Sequence, residues 1–355
     1  MNVLTIDTGT TNTRVTVWRD GAVLHRAARQ VGVRDTAISG SSEILKAGVR
    51  DTIADALQGA GIGIDAVTRV IASGMISSEL GLRQVPHVDV PAGRDVLAAA
   101  MASARIPEVC RKTLWFVPGV RNVAADLGLH NCEAMDMMRG EETETMGLID
   151  RVGIAAPAVV VLPGSHSKFV HLDAQQQVIG CVTTLAGELL HVLTHNTILA
   201  GSLESGFADS IDAEMLLAGA RAARDIGLGR AGFVVRILDQ FTVYGRNARA
   251  NYLLGAVLAA DLMTLKNSSA VRMSPGTQFV ITGKPLLREA LALLVAGDDF
   301  FSGRVTVTSD IEQADLAGWG ALCIARVRGL VPEAFFPQPA AVATRRKPAR
   351  AKVPA

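Results

Sequence analysis

Two short segments rich in small and hydroxyl-bearing residues have the composition of phosphate-binding turns. The first, Asp7 to Arg14, reads DTGTTNTR, and the second, Pro163 to Lys168, reads PGSHSK and follows about one domain later. Small residues let backbone N–H groups approach an anion without obstruction by a Cβ atom, and Thr and Ser hydroxyls add donors. Two such turns that face one cleft could hold a polyphosphate between them.

The acid that opens the first turn suggests a metal. A carboxylate gains nothing from touching phosphate oxygens, but Asp7 could bind Mg²⁺ or a water of its shell, because Mg²⁺ prefers oxygen ligands and keeps several waters. The alternative is an ordinary hairpin turn, since Gly, Asp and Thr favour turns for local reasons. The sequence has no Walker A pattern and no G-x-G-x-x-G in a strand-to-helix setting, which argues against the two commonest other phosphate folds.

Apolar runs on both sides of each turn predict the strands that position it. Residues 3–6 and 15–18 flank the first turn, and residues 159–162 and 169–172 flank the second. In both places a further turn signal and a third apolar stretch follow. The sequence therefore predicts the same strand-turn-strand-turn-strand layout twice.

The remaining pattern alternates strands and helices, which indicates an α/β organisation. Ser41 or Ser42 could cap a helix that reaches Leu57, and a small-residue loop at 74–78 follows a strand, where open sheets place ligand contacts. The other predicted strands are 67–72, 114–117 and 278–282, and the other predicted helices are 187–199, 213–226, 249–265, 285–295 and 315–326.

A charged cluster at residues 135–144 has two interpretations. It could be a helix start, because acids favour the first turn of a helix. It could instead place Asp136 as a general base at a helix entrance, with Arg139 available for a substrate carboxylate or phosphate. The spacing alone leaves both open.

A second cluster, Glu188, His191 and His195, would share one helix face. Histidines four residues apart can ligate zinc, and His166 could add a third nitrogen. The H-E-x-x-H pattern of zinc hydrolases is absent, however, and such side chains also serve substrate hydrogen bonds or interfaces.

Length and composition bound the function. The 355 residues suffice for two domains, and the near-neutral charge of +1 with 49% hydrophobic residues favours a small-molecule partner over nucleic acid. Four separated cysteines without a C-x-x-C pair, and no secretory signal, favour a cytoplasmic protein. No apolar stretch reaches the roughly 20 residues that a membrane helix needs. The Pro- and Arg-rich segment from about Pro337 is predicted to be disordered.

The chain resembles the 2-dehydro-3-deoxygalactonokinase family, sugar-acid kinases of the actin, hexokinase and glycerol kinase superfamily. The resemblance runs almost from end to end. Its motifs lie at residues 6–14, 73–76, 117–119, 138–143, 162–168 and 187–191.

This resemblance implies two ribonuclease-H-like domains, each with a mixed five-stranded sheet and helices, that face an ATP cleft. The N-terminal domain (1–155) would carry the first turn and the sugar-acid site. The C-terminal domain (156–332) would carry the second turn and the adenosine site, and residues 333–355 would form a disordered basic tail.

The implied activity is ATP- and Mg²⁺-dependent phosphorylation of the 6-hydroxyl of 2-dehydro-3-deoxy-D-galactonate, or a closely related 2-keto-3-deoxy sugar acid, in galactonate breakdown. Two alternatives are a non-catalytic nucleotide or sugar-acid binding protein of the same fold, and a zinc hydrolase. The sequence leaves a homodimer open.

The resemblance and the residue types together nominate three sets of site residues. The candidate catalytic residues are Asp136, Arg139 and Glu141. The candidate nucleotide ligands are Asp7, Gly9, Thr10, Thr11, Asn12, Arg14, Gly164, Ser165, His166, Lys168 and Gly283, with Asp7 holding Mg²⁺ through water. The candidate sugar-acid ligands are Gly74, Met75, Ser77, Arg139, Glu188 and His191.

Overall fold

Two mixed β-sheets, each begun by a hairpin, organise the chain. The structure is a computed structural model and describes residues 1–155 and 157–337. The strands are β1 (Asn2–Thr8), β2 (Thr13–Arg19), β3 (Ala22–Arg29), β4 (Val67–Gly74), β5 (Val88–Asp89), β6 (Ala102–Ile106), β7 (Cys110–Phe116), β8 (Val120–Arg121), β9 (Met137–Met138), β10 (Ala158–Leu162), β11 (Ser167–Leu172), β12 (Val178–Thr184), β13 (Gln278–Ile281) and β14 (Val305–Val307).

Helices cover these sheets and join their parallel strands. They are α1 (Val33–Ser39), α2 (Glu43–Gly59), α3 (Arg94–Ala99), α4 (Glu141–Val152), α5 (Ala186–His195), α6 (Leu199–Ser202), α7 (Ala213–Ile226), α8 (Leu228–Phe241), α9 (Arg246–Asn267), α10 (Pro285–Ala296), α11 (Asp310–Gln313) and α12 (Leu316–Val327).

The two sheets repeat one topology. The first has the order β3-β2-β1-β4-β7-β6 and the second β12-β11-β10-β13-β14. In each, three antiparallel strands come first, and the innermost of them pairs in parallel with a later strand. The predicted duplicated layout and the α/β class are confirmed. The expectation of five strands in the first sheet is wrong, because β6 forms a hairpin with β7 and adds a sixth.

A third, small sheet of order β5-β8-β9 lies beside the second large sheet. Its β9 contacts β12, and an isolated antiparallel bridge joins Ala92 to Val178. Strands of two residues carry no readable hydrophobic period, so the sequence did not predict this sheet. The bridge between Ala92 and Val178 is one of the places where the first part of the chain hydrogen-bonds to the second.

Helix α12 packs on the first sheet, although the predicted boundary assigns it to the C-terminal domain. It contacts α4, β1 and β4. Glycines allow the close approach to α4, since a Cβ atom at Gly320 would lie 1.7 Å from the Thr143 carbonyl oxygen and one at Gly147 would lie 2.7 Å from that of Leu316. One buried cluster therefore joins residues of both sheets, including Val3, Val160 and Leu322.

Two local predictions differ from the structure. Asp136 does not open a helix: it precedes β9, and α4 begins at Glu141 after Gly140, whose φ of 118° interrupts regular structure. Helix α8 was not predicted, because glycines at 227, 229 and 232 obscure its apolar period.

The first residues of the predicted tail are packed against the fold. Phe335 and Phe336 are buried, and the ring of Phe336 lies 5.3 Å from that of Trp319. The rest of the predicted tail, residues 338–355, lies outside the described residues. None of the helices described is both long and apolar enough to cross a membrane.

Candidate active site

A cavity of about 640 Å³ lies between the two large sheets, and residues of both predicted phosphate turns line it. Asp7 and Arg14 come from the first hairpin, and Pro163, Gly164 and His166 come from the second. The other lining residues are Thr5, Thr16, Glu141, Glu144, Leu162, Thr282, Gly283, Lys284, Pro285, Gln313, Asp315, Leu316, Ala317 and Gly318. The two turns thus share one space, as the duplicated layout predicts.

The first turn is held by its own hairpin and by α1. Asp7 stands opposite Arg14 in the β1–β2 pairing, and the Asp7 Oδ2 atom lies 3.2 Å from Arg14 Nη1. The Gly9 amide donates to the Asn12 carbonyl (2.8 Å), and the backbone N–H of residue 34 at the start of α1 donates to the Thr10 carbonyl (3.0 Å). The predicted ligands Gly9, Thr10, Thr11 and Asn12 form the tip of this hairpin and are not among the residues that line the cavity.

The second turn is clamped from two sides. A Cβ atom at Gly187, the second residue of α5, would lie 2.1 Å from the Gly164 carbonyl oxygen, and the Glu188 amide donates to the Ser165 carbonyl (3.0 Å). On the other side, a Cβ atom at Gly283 would lie 2.6 Å from Pro163 Cγ, and Gly283 has a φ of 97°. The position of the turn therefore depends on two glycines.

Four carboxylates line the cavity: Asp7, Glu141, Glu144 and Asp315, the last of which forms an ion pair with Arg26. Burial raises the pKa of Asp7, Arg14 opposes this shift, and Glu141 adds to it. Burial, followed by the charges of Asp7 and Glu141, raises the pKa of Glu144 to about 8. The arrangement concentrates negative potential where a cation would be stabilised.

Arg139 lies beside the first turn and touches the predicted sugar-acid ligands. Its Nη1 donates to Ser77 Oγ (2.7 Å), its Nη2 donates to the Val85 carbonyl (2.9 Å), and the His87 ring nitrogens lie 3.3 Å from Nη2. Within the described part of the chain, no carboxylate forms an ion pair with this guanidinium. The Arg139 amide donates to Glu141 Oε2 (3.1 Å), which ties it to the cavity.

Glycines bring this region close to Asp7. A Cβ atom at Gly74 would lie 3.1 Å from Asp7 Oδ1, and one at Gly140 would lie 3.4 Å from the Gly74 Cα atom. Met75 follows Gly74 in a short 3-10 helix that ends at Ser77. The structure therefore gathers Gly74, Ser77, Arg139 and Glu141 next to the first turn.

Asp136 and Lys168 lie outside the cavity and face each other. Asp136 accepts hydrogen bonds from the Thr183 amide (2.6 Å), the Thr183 hydroxyl (2.8 Å) and the Met137 amide (2.6 Å). Lys168 Nζ lies 3.7 Å from Asp136 Oδ1 and donates to the Met137 carbonyl (2.8 Å). The sequence predicted Asp136 as a free general base and Lys168 as a phosphate-binding cation, whereas in the structure these two side chains form an ion pair.

A second cavity, of about 620 Å³, adjoins the first and shares Lys284 with it. Ser165, Glu188, His191 and Phe207 contribute to its wall, together with the apolar residues Leu190, Leu254, Leu286 and Leu287. Glu188 and His191, which the sequence placed with the sugar acid, are therefore on the side of the second turn, away from Arg139. Glu188 Oε1 lies 3.0 Å from His166 Nε2, so this pair stands between the two cavities.

The zinc alternative has no support in the described residues. No group of three His, Cys, Asp or Glu side chains among them is arranged to hold a metal ion. His191 and His195 instead pack with their rings tilted by 52° and their centroids 4.6 Å apart, and His195 packs edge-on against Phe207 at 5.2 Å.

Several side chains near the site were not predicted as site residues, among them His87, Glu144 and Gln313. Burial, with help from Arg139, lowers the pKa of His87 to about 4. Gln313 Oε1 accepts from the Gly283 amide (2.9 Å), and its Nε2 donates to the Gly283 carbonyl (3.1 Å). Glu144 is the last residue of the charged cluster at 135–144, so the sequence held a signal for it, whereas His87 and Gln313 reach the site only through the fold.

Comparison with known proteins agrees with this geometry. A model of the 2-keto-3-deoxy-galactonokinase family matches residues 7–314. The "2-dehydro-3-deoxygalactonokinase" of Escherichia coli (strain K12) is 24% identical over 266 residues, which cover 74% of this chain and 80% of that protein. The "Probable 2-dehydro-3-deoxygalactonokinase" of Rhizobium meliloti (strain 1021) is 28% identical over 258 residues, which cover 72% of this chain and 73% of that protein.

A solved structure shares the fold. The crystal structure of a "putative 2-dehydro-3-deoxygalactonokinase protein" from Sinorhizobium meliloti superposes with a TM-score of 0.68 at 22% identity, and the match covers 91% of this chain and 98% of that one. The family model spans most of the sequence, including both turns and the residues around Arg139. The chain therefore belongs to the 2-keto-3-deoxy-galactonokinase family, whose members are sugar-acid kinases.

Proposed function

We propose that this chain transfers the terminal phosphoryl group of ATP to the 6-hydroxyl of 2-dehydro-3-deoxy-D-galactonate, or of a closely related 2-keto-3-deoxy sugar acid. The observation that carries the proposal is the single cavity lined by both turns, next to a guanidinium without an acidic partner in the described residues. In this proposal the two large sheets are the centres of two ribonuclease-H-like domains. Their shared strand order supports that assignment.

The nucleotide would lie across both cavities. Its phosphates would occupy the space between Asp7 and Gly164, where the small residues of the second turn let anionic oxygens approach the backbone. Its base would enter the second cavity, whose apolar wall and Phe207 suit a flat ring. Glu188 and His191 would then contact the nucleoside rather than the sugar acid.

Magnesium fits the carboxylates that face the cavity. Mg²⁺ binds through one or two carboxylates, substrate phosphates and waters, so it does not need a cage of three protein ligands. Asp7, with Glu141 and Glu144 nearby, would hold it, and a cation would stabilise the ionised forms of Asp7 and Glu144, which burial disfavours. When bound, Mg²⁺ would offset charge on the phosphate oxygens.

Glu141 is the better placed of the two candidate bases. It lines the cavity and lies beside Asp7 at the start of α4, whereas Asp136 is occupied by hydrogen bonds from Thr183 and Met137. A general base must reach the proton it accepts, so position decides before pKa does. We assign Glu141 to accept the proton of the sugar hydroxyl as that oxygen attacks the terminal phosphorus and ADP leaves.

Arg139 would bind the sugar-acid carboxylate. An unpaired carboxylate is costly to desolvate, and a guanidinium can bind one with two parallel hydrogen bonds. Ser77 Oγ and the Val85 carbonyl hold Arg139 in place through its two terminal nitrogens. The neutral His87 beside them adds no competing positive charge, because its pKa is lowered to about 4.

The test is a coupled ADP-release assay over a panel of 2-dehydro-3-deoxy sugar acids and their amide analogues. The proposal expects turnover with the keto-deoxy acids and a much lower kcat/KM with the amides. Binding of nucleotide and sugar acid without ADP release would indicate a non-catalytic binding protein. Equal kcat/KM for acid and amide would remove the carboxylate role of Arg139.

A further inference from the structure

A strap, residues 120–138, crosses from the first sheet to the second and is anchored there at three points. Asn122 Nδ2 donates to the Cys181 carbonyl (2.8 Å), and the Cys181 amide donates back to Asn122 Oδ1 (2.9 Å). Glu133 accepts from the amide (3.0 Å) and hydroxyl (2.6 Å) of Ser269. The third anchor is Asp136, which accepts from the Thr183 amide and hydroxyl.

The Asp136 anchor is the only one of these three that includes an ion pair, which joins the partly buried Asp136 to Lys168. Lys168 is buried, with 5% of its surface exposed, and its ammonium lies between Asp136, the Thr183 hydroxyl and the Met137 carbonyl. Hydrogen bonds to ionised groups are shorter and stronger than those between neutral groups, and breaking such a pair leaves a buried charge uncompensated. The ion pair and its hydrogen bonds therefore join β9 to both β11 and β12.

Each partner of the pair is joined through its own backbone to a different part of the site. Lys168 is the second residue of β11, which starts directly after His166 of the second turn. Asp136 is followed, three residues later, by Arg139, and the Arg139 amide is bonded to Glu141. A shift of the second turn would move Lys168 with it. Through its contacts with Asp136 and Met137, Lys168 would then displace the segment that carries Arg139 and Glu141.

We infer that Asp136 is a positioning residue that couples the nucleotide side of the cleft to the sugar-acid side through Lys168 and Thr183. The inference rests on the proposed function. A bound nucleotide that orders the second turn fixes Lys168 and Thr183, which fix Asp136 and thereby Arg139 and Glu141. Binding of one substrate then strengthens binding of the other by the same factor, as linkage requires.

The experiment measures the Kd of the sugar acid by calorimetry, with and without a saturating non-hydrolysable ATP analogue and Mg²⁺. For the wild type we expect the analogue to tighten sugar-acid binding by roughly 5- to 150-fold, the usual range for coupled sites. Asp136→Asn removes one acceptor oxygen and the negative charge. It should bring the ratio below about threefold while the Kd of the analogue alone stays within about threefold of the wild-type value.

Two further variants keep the inference falsifiable. Thr183→Val removes only the hydroxyl and should lower the ratio in the same direction, which decides the matter if Asp136→Asn does not fold. Glu133→Gln is the matched control, because Glu133 also accepts hydrogen bonds across the sheets, but its partner Ser269 follows α9 and belongs to neither β11 nor β12. Glu133→Gln should keep the wild-type ratio.

The outcomes are distinct. A wild-type ratio near one, or an unchanged ratio in Asp136→Asn, overturns the coupling. An unchanged ratio together with a loss of kcat of about 100-fold or more would make Asp136 the catalytic base instead. Failure of the wild type to bind any sugar acid would defeat the proposed function itself, and the inference with it.

Discussion

The second turn is held by Gly187, and an alanine there should displace it. A Cβ atom at Gly187 would lie 2.1 Å from the Gly164 carbonyl oxygen and 2.7 Å from the Ser165 Cα atom, whereas ordinary van der Waals contact begins at 3.4 Å. Both neighbours belong to the backbone of the turn, so no flexible side chain can move aside. Relief of the first contact requires a shift of about 1.3 Å, the difference between those two distances.

A misplacement of about 1 Å can cost on the order of 100-fold in rate. We therefore expect Gly187→Ala to lower kcat/KM for ATP by about 100-fold, equivalent to about 2.7 kcal/mol. The Kd of the sugar acid alone should change less than kcat/KM for ATP, because Arg139 and Ser77 lie on the other side of the cleft and a shift of the turn reaches them only through Lys168 and Asp136. The assay is coupled ADP release with varied ATP, beside calorimetry for the sugar acid.

Gly232→Ala is the matched control. Gly232 also lies in a helix, α8, but an added Cβ atom there meets nothing within 4 Å. Alanine is favoured over glycine in helices by up to about 1 kcal/mol, so this variant should be as stable as the wild type or slightly more so, with unchanged kinetics. If Gly187→Ala kept kcat/KM for ATP within threefold of the wild type, the role of α5 in fixing the turn would be refuted.

Four other predictions test the site and the fold. Glu141→Gln should lower kcat by 100-fold or more, the usual worth of a general base, with both substrates still binding; a kcat within threefold of normal would exclude it as the base. Arg139→Lys should raise KM for the sugar acid by about tenfold, because an ammonium group cannot donate the two parallel hydrogen bonds that a planar guanidinium donates to a carboxylate. It should not raise KM for the amide analogue. Equal effects on both substrates would count against carboxylate binding by Arg139. Burial raises the pKa of Glu142 to about 8 from 4.5, so this carboxyl ionises at lower pH in the unfolded chain than in the folded one. The free energy of unfolding of the wild type should therefore fall as pH rises between these two values, by at most about 3 kcal/mol between pH 5.5 and 7.5. Glu142→Gln should flatten this pH dependence in urea titrations, and an unchanged slope would contradict the assignment. Gly320→Ala should separate α12 from α4, because its Cβ atom would lie 1.7 Å from the Thr143 carbonyl oxygen. It should lower the free energy of unfolding in urea by about 1–3 kcal/mol. Gly276→Ala should not lower it, because a Cβ atom there meets nothing within 4 Å.

The sequence predicted what local patterning encodes. The two hairpins, α7 and β13 follow from apolar runs bounded by turn and cap residues, and the repetition of that pattern led to the shared cavity. Helix α8 and the two-residue strands were missed, because glycines or short length hide their period. The number of strands in the first sheet depended on β6, whose pairing with β7 had no separate signal.

The site was predictable only where its residues sit on those turns. The cavity is lined by four residues that the sequence predicted on the two turns, Asp7, Arg14, Gly164 and His166. Elsewhere, closeness in the sequence did not predict which side chains face the cavity. Asp136 lies close to Glu141 in the chain, yet its carboxylate turns toward β12 while Glu141 faces the cavity. Glu188 and His191 lie on α5, and the packing of α5 on the second turn, rather than their residue types, decides which substrate they face.

The central claim is that both turns hold one triphosphate. A crystal structure of the full chain with Mg²⁺ and a non-hydrolysable ATP analogue tests it most directly. The account predicts phosphate groups between the hairpin of Asp7 and Arg14 and the turn of Gly164 and His166, in contact with both. Phosphates bound to one turn alone, or outside this cavity, would contradict it.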